Sequence, residues 1–529
     1  MSKLIPLFKL WVPQWLIKVT LFIVLLPSLV LFFLPLANIN AAAGYYGIEP
    51  ADVQYSVVVF YAGYTSFFSL ERRFFRYLAA KEYFFIFTLI QILTSFGCYQ
   101  VQSLPLLLLL RFIQGMCLTS TANLALALIY NRLKTERARE IGYSVYFGML
   151  ICMLPFNNFI TADLIDSFNF NVLYKGAMFS YVPSLILLSV IMNNIRLDIK
   201  FPLYLLDWAS FILYAIFLSL LGYVLVYGQE YYWFQDNRIL YNTLGSASSL
   251  LLFLLRQFVL KRPYFDLEVF KYRNFKIGAL ILFILYICRF ASGLTSAYFS
   301  NVLGLDPIHI SYINLFNILG IIIGVITSCV MVLQKRPVRL IWIYGFCLLL
   351  LYHVGMFFFL NIQANENIFY LPLIIQGLGV GMLMTPTIIF MISSAPVRFG
   401  ATAAGICLFV RCFGFYASIA LMNFYELFSK SKHYNTFQEQ LTQLNPVTSV
   451  ALSKQTQALV HHGANADKAI KVAQKLLVKS IDVQGQIRYA MDYYEMISWM
   501  LVFTITLVAL FPYINRTVIY LRSDQPAPF

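Results

Sequence analysis

Three arginines and one histidine of this chain, Arg111, Arg289, Arg411 and His353, fall inside long apolar runs, where no Asp or Glu is as clearly placed. An ionisable side chain in hydrocarbon is expensive, so each must face a cavity, water or a partner, and such groups mark pathways. The balance of buried charge is therefore positive. Gln114 follows Arg111 one helical turn on as a further polar contact, and Gly115 offers a position for close helix packing. Arg411 either bonds to helix ends beside a cavity or touches a substrate, and Arg289 either joins a network of water or does the same. His353 suits a proton relay because imidazole titrates in the physiological range, but a lone His on an apolar helix is equally suited to a packed, hydrogen-bonded role. Asn157 and Asn158, just after Pro155, either line a polar path or sit at a kinked helix end. Asp207 beside Trp208 reads as a helix cap.

Other chemistry lacks its residues. The five histidines, His309, His353, His433, His461 and His462, form no cluster with acids or cysteines, and the adjacent pair His461 and His462 would point apart on a helix, so no metal site is expected. All eight cysteines lie in apolar segments without Cys-x-x-Cys spacing. The glycines Gly377, Gly379 and Gly381, with Gly320 and Gly324, neither follow a strand nor precede a Lys-Ser/Thr pair. They read as helix-packing positions, and no nucleotide or other cofactor is expected. No catalytic set emerges, so the chain does not read as an enzyme.

The elements that would position these residues are membrane helices. The 529 residues are 60% hydrophobic and 12% charged, with a mean hydropathy of +0.74, far from the soluble norm of roughly a quarter charged residues. Aromatic residues make up 17%, as expected of lipid-facing surfaces and interfacial belts. The net charge of +15 is spread in short clusters between apolar runs, which is a topology signal and not a nucleic-acid-binding face. About twenty apolar residues span a hydrocarbon core. That length predicts fourteen helices near 19–39, 55–70, 83–99, 105–130, 141–162, 173–192, 206–227, 239–258, 277–299, 310–333, 338–360, 368–392, 402–425 and 496–514. The apolar run after the basic start reads as a first spanning helix and not as a cleaved signal peptide. With both termini cytoplasmic, the six short outer loops hold only Lys175 and Arg238 as basic residues, against acids such as Glu49, Asp52, Glu230, Asp236, Asp306 and Glu366.

The outer segment 426–495 is long, polar and helix-prone, with an amphipathic stretch over 467–487 expected to lie over the outer mouth of the bundle or to touch a partner. There is also an internal echo: Arg111-Phe-Ile-Gln-Gly115 and Leu373-Ile-Ile-Gln-Gly377. It predicts a repeat plan of six plus two plus six helices, with an N-terminal bundle over 1–200, two inserted helices over 201–262 and a C-terminal bundle over 263–529.

With Asp207-Trp208, Gly228-Gln-Glu-Tyr-Tyr-Trp-Phe234, Arg262-Pro-Tyr-Phe-Asp-Leu-Glu-Val-Phe270, Gln376-Gly-Leu-Gly-Val-Gly381 and Arg411-Cys-Phe-Gly414, these motifs give a chain that resembles the fourteen-helix drug:proton antiporters of the major facilitator superfamily, the EmrB/QacA type. The resemblance implies an all-α helical bundle in a bacterial inner membrane. It implies a secondary transporter that exchanges protons for amphipathic or drug-like small molecules. It also implies that Arg111 faces the central cavity to bind an anionic group or hold a proton-carrying acid, with a structural role, bonded to backbone carbonyls of a neighbouring helix, as the alternative, and that Pro155 belongs to the antiporter motif. A periplasmic adaptor and an outer-membrane channel are the implied partners beside lipid and substrate, with no nucleic acid. The chain departs from the family's pattern in helix one, where no carboxylate stands in Leu31-Phe-Phe-Leu-Pro-Leu-Ala-Asn-Ile-Asn40, and in the inner loop Ser69 to Lys81, where the glycine is lost. Those departures, with the surplus arginines, leave open an organic-anion or fatty-acid transporter, an uptake symporter, or a membrane partner that does not transport.

Overall fold

The computed structural model describes residues 8–132, 138–196, 203, 206–441, 445–463 and 465–510. The end of the fourteenth predicted helix, 511–514, and the C-terminal tail lie outside the described residues. An N-terminal group comprises α1 (Gln14–Ala37), α2 (Ile39–Tyr46), α3 (Pro50–Tyr77), α4 (Ala80–Gln100), α5 (Leu104–Arg132), α6 (Ala138–Ser167) and α7 (Val172–Ile191). Two helices follow, α8 (Trp208–Tyr227) and α9 (Asn237–Val259). A C-terminal group holds α10 (Arg273–Arg289), α11 (Ala291–Asn301), α12 (Pro307–Leu333), α13 (Val338–Phe359), α14 (Tyr370–Ser393) and α15 (Gly400–Phe424), then α16 (Lys430–Gln440), α17 (Pro446–His461) and α18 (Ala466–Leu510).

Thirteen spans among the described residues are long and apolar enough to cross a membrane. The remaining predicted crossing is α3, which is rich in Tyr, Ser and Thr, carries charges at both ends, and buries most of its length. Local chemistry explains the boundaries. Proline occupies the first turn of α3 and of α12, where its missing N–H costs nothing. Gly47 ends α2 at φ +63°, a left-handed conformation that suits a residue without a Cβ. Asp207 caps α8 as expected, accepting from the Ser210 N–H at 3.2 Å and pairing with Arg256 at 2.8 Å.

Three helices differ from the sequence expectation. The first starts at Gln14 and stops at Asn38, three residues after Pro35, with α2 resuming beyond the break. The ninth divides at Phe290 into α10 and α11, leaving Arg289 at the last position of α10. The amphipathic stretch at 467–487 is not a separate element, because it runs without interruption into the last spanning helix to form the 45-residue α18. At the far end of α18, the Arg339 guanidinium closes the helix by donating to the Val508 and Ala509 carbonyls.

Glycine sets the closest crossings. A Cβ built on Gly115 would fall 1.9 Å from the Phe60 carbonyl oxygen and 2.9 Å from the Tyr64 nitrogen, so α5 lies backbone to backbone on α3. In the C-terminal group a Cβ on Gly377 would fall 2.2 Å from the Asn317 oxygen and 2.8 Å from the Ile321 nitrogen, the same relation between α14 and α12. Gly320, Gly324 and Gly381 line that second crossing as well, while Gly379 turns the other way, against Gly345 and Leu349 of α13. The echoed motifs thus build matching crossings in the two groups. The groups meet where α6 packs on α12 and α3 on α15. The helix α8 covers the second junction, and α9 packs on α8 while exposing Leu244, Leu251, Leu252 and Leu255.

Candidate functional site

Pro35 has no N–H, so the carbonyl of Leu31, four residues back, loses its intrahelical donor. Arg111 on α5 replaces it. Its Nη1 donates to Leu31 O at 2.8 Å and to Gln114 Oε1 at 2.9 Å, its Nη2 donates to Phe32 O at 3.0 Å, and its guanidinium lies 4.4 Å from the centre of the Phe60 ring. Asn157 on α6 supports the same kink, donating to Val30 O at 2.9 Å. Gln114 completes the set through Ser95 Oγ at 3.4 Å. Both Arg111 and Asn157 are fully buried, so these side chains hold α1, α5 and α6 together.

A cleft of about 300 Å³ lies between the two groups. It is lined by Asn38, Pro155 and Asn158 from one side and by Ser300, Asn314 and Asn317 from the other, and it opens at exposed Asn40, Asn301 and Pro307. Pro155 and Asn158 therefore reach the path, whereas Asn157 turns into the helix contact. Among the described residues, none of 426–495 lines the cleft. Instead α16 and α17 pack on the projecting part of α18.

Beneath the cleft, Pro155, Leu154 and Asn317 also line a second cavity of about 20 Å³, with Arg289, Phe290 and Gln376. Here Asn317 donates to Leu373 O at 3.0 Å and to Gln376 Oε1, and Gln376 donates to the Arg289 carbonyl at 3.2 Å. A third cavity of about 20 Å³ is lined by Arg411, Phe147, Tyr64, Tyr146 and Asn123. Each small cavity has room for about one water. Tyr286 stands between the two arginines: Arg411 Nε donates to its hydroxyl at 2.8 Å, and the Arg289 guanidinium lies 5.1 Å from its ring centre. Arg411 is thus held by a phenol and not by helix ends. Tyr64 and Tyr146 share a hydroxyl contact of 3.0 Å alongside.

His353 is not part of this column. It is fully buried on α13, with Nδ1 2.7 Å from Leu349 O and its ring against Tyr352 and Tyr494 of α18. Sequence reasoning also missed a buried acid, Glu71. The inner loop was expected to begin near it, but α3 continues to Tyr77 and carries Glu71 inward, where it accepts from Tyr83 Oη and from Asn123 Nδ2 at 2.5 Å. Asn123 also lines the Arg411 cavity, so Glu71 is one residue removed from the path. Tyr286, one turn before Arg289, carried a signal that the sequence reading did not use.

A family model for the Major Facilitator Superfamily matches residues 17–418. The chain belongs to the Major Facilitator Superfamily. It is 22% identical over 426 residues to the Colistin resistance protein EmrB of Acinetobacter baumannii, covering 78% of this chain and 79% of that protein. It is likewise 22% identical over 379 residues to the Multidrug export protein EmrB of Haemophilus influenzae, covering 69% and 71%. Among solved structures, a POT family transporter in complex with a thioalcohol-conjugated peptide superposes with a TM-score of 0.59 at 13% identity, over 95% of this chain and 97% of that one. Membership of this superfamily makes the protein a multi-pass membrane protein and a secondary transporter.

One rim of the bundle is acidic. Tyr227 at the end of α8 donates to Asp52, and Glu230 lies beside Glu49. Partial burial and the neighbouring Glu49 carboxyl raise Glu230 from the ordinary 4.5 to about 7. A carboxyl raised in the folded state binds its proton more tightly than in the unfolded chain, so its contribution to stability is complete below about pH 4.5 and is lost as pH rises through 7. Solvent screening makes the effect small. The fall in melting temperature of the detergent-solubilised protein between pH 5 and pH 8 should be shallower in Glu230→Gln; an unchanged slope would refute this account.

Proposed function

We propose that the protein exports amphipathic or drug-like small molecules across the bacterial inner membrane in exchange for protons, with its termini and basic loops on the cytoplasmic side. The carrying observation is the cleft between the two helix groups, which mixes apolar and amide side chains and ends on a column of buried cationic and phenolic groups. The names of the two EmrB relatives support efflux. The basic loops at one end of the bundle and the acidic rim at the other support the orientation. In this reading the groups 1–200 and 263–529 rock about the junctions α6 with α12 and α3 with α15, and 201–262 follows as a brace. Glu71, bonded to Asn123 beside the central path, takes the place of the absent helix-one acid as the proton carrier. The projecting α16 to α18 provide the surface for a periplasmic adaptor and, through it, an outer-membrane channel.

The test is proton flux in inverted vesicles energised with an inside-acid gradient. Adding tetraphenylphosphonium or a lipophilic carboxylate should release lumenal protons with the intact protein, and Glu71→Gln should abolish that release while substrate binding persists. Absence of substrate-dependent proton movement for either compound, with the protein shown to be folded, would overturn the exchange mechanism.

A further inference from the structure

We propose that Arg289 and Arg411 form a two-armed site for a single monoanionic headgroup, such as a carboxylate, a sulfonate or an inorganic anion, at the junction of the two helix groups. This rests on the transporter reading and names its ligand class. Both arginines are buried, at 7% and 3% exposure, and they flank one tyrosine: the guanidinium carbons lie 5.1 Å and 5.9 Å from the Tyr286 ring centre. Among the described residues, no carboxylate lies within ion-pair distance of either. Arg411 Nη2 is buried at the third cavity without a hydrogen-bond partner. An unpaired buried charge is costly, and two of the same sign across one ring raise that cost.

The comparison with Arg111 sharpens the point. That guanidinium donates to two carbonyls and an amide, all within its own helix group. Arg411 is held through Nε by a neutral phenol, with the Tyr64 phenol beside it, and its Nη2 is left without a partner. A guanidinium presents parallel donors that match an anion's oxygens, and in a dry site such bonds are strong. The surrounding rings define the rest of the ligand. Phe147 lies 4.9 Å from the Arg411 guanidinium, Phe290 lies 4.8 Å from that of Arg289, and Phe415 packs 4.9 Å from Phe290. They suit an anion joined to a flat or apolar body. In this conformation the cavities beside both arginines are closed to about 20 Å³ each, and the open cleft shares Asn317 and Pro155 with the one beside Arg289. Movement of one group against the other would bring the headgroup from the cleft to the arginines.

The experiment uses the full-length protein in nanodiscs of zwitterionic lipid, with radiolabelled 1-naphthoate as the anionic probe and tetraphenylphosphonium as the cationic one. Naphthoate should bind saturably to the intact protein, and Arg289→Gln and Arg411→Gln should each weaken it tenfold or more, with Arg411→Lys losing less. Tetraphenylphosphonium binding should not weaken in any of them. If Arg411→Gln does not fold, Arg289→Gln and chloride competition on the intact protein decide: chloride, but not gluconate, must displace naphthoate. Absence of saturable naphthoate binding, or equal affinity in the intact protein and Arg289→Gln, would overturn the site. Vesicle flux separates the two sources of the anion: naphthoate carried across assigns the site to the cargo, and chloride carried alone assigns it to an inorganic co-ion. Flux also separates the two readings. Tetraphenylphosphonium export without naphthoate binding keeps the exporter and removes the anion site; naphthoate binding without flux of any ion keeps the site and removes the exporter.

Discussion

Alanine at position 115 or at position 377 is expected to abolish folding of the protein, while alanine at position 176 leaves it intact or slightly stabilised. The added methyl group at Gly115 meets the Phe60 carbonyl at 1.9 Å, and at Gly377 it meets the Asn317 carbonyl at 2.2 Å. In both cases the obstacle is backbone, which cannot turn aside as a side chain would, so two helices must separate along their length. Overpacking a core costs about 1–3 kcal/mol when side chains can adjust, and here they cannot. Nothing lies within 4 Å of a Cβ on Gly176, where the substitution only lowers the entropy of the unfolded chain. Size-exclusion profiles and melting curves of the three variants after detergent extraction would check this. A monodisperse Gly115→Ala protein with unchanged melting would show that the crossing is looser than described.

Replacement of Arg111 by alanine should damage the fold before it damages recognition. Three hydrogen bonds from a charged donor are lost at once, and the Leu31 carbonyl, already without its intrahelical partner because of Pro35, is left bare. Neutral bonds between membrane helices average well under 1 kcal/mol, but bonds from an ionised donor are stronger, and an expected loss of about 2–4 kcal/mol follows. Arg111→Lys should recover only part of it, since one ammonium cannot span the Leu31 and Phe32 carbonyls and the Gln114 amide with a guanidinium's geometry. Melting curves recorded without any substrate make the distinction. A ligand-contacting arginine would alter binding and leave those curves unchanged, and that result would reverse the assignment.

The same arginine shows how far the sequence could be read. Hydropathy and charge alternation located the spanning segments because each is a property of twenty neighbouring residues and of the loops between them. The echo of Gln114-Gly115 in Gln376-Gly377 marks matching crossings, since only glycine permits that approach of backbones. The sequence offered Gln114 and the backbone carbonyls of a neighbouring helix as partners of Arg111, but not which carbonyls, because any residue type presents them. Glu71 was assigned to a loop because three arginines lie within five residues after it, at 72, 73 and 76, yet the helix runs on beneath them. His353 could not be separated from the central column by sequence, since its neighbour Tyr494 is over a hundred residues away. The continuity of α18 was hidden by the change from a charged surface to an apolar one partway along a single helix.

That continuity has a mechanical consequence. At 1.5 Å per residue, the 45 residues of α18 make a rod of about 67 Å, with α13 packed on it and α16 and α17 packed along its N-terminal part. Its lower part is wedged against α13 through Tyr494 and closed by Arg339, so it tilts only if the C-terminal group tilts. A tilt of about 15° would sweep the end of a segment about 30 Å long sideways by roughly 8 Å, carrying α16 and α17 with it. The rod acts as a pointer: any rearrangement of the membrane helices on which it rests is displayed, enlarged, at a distance from them.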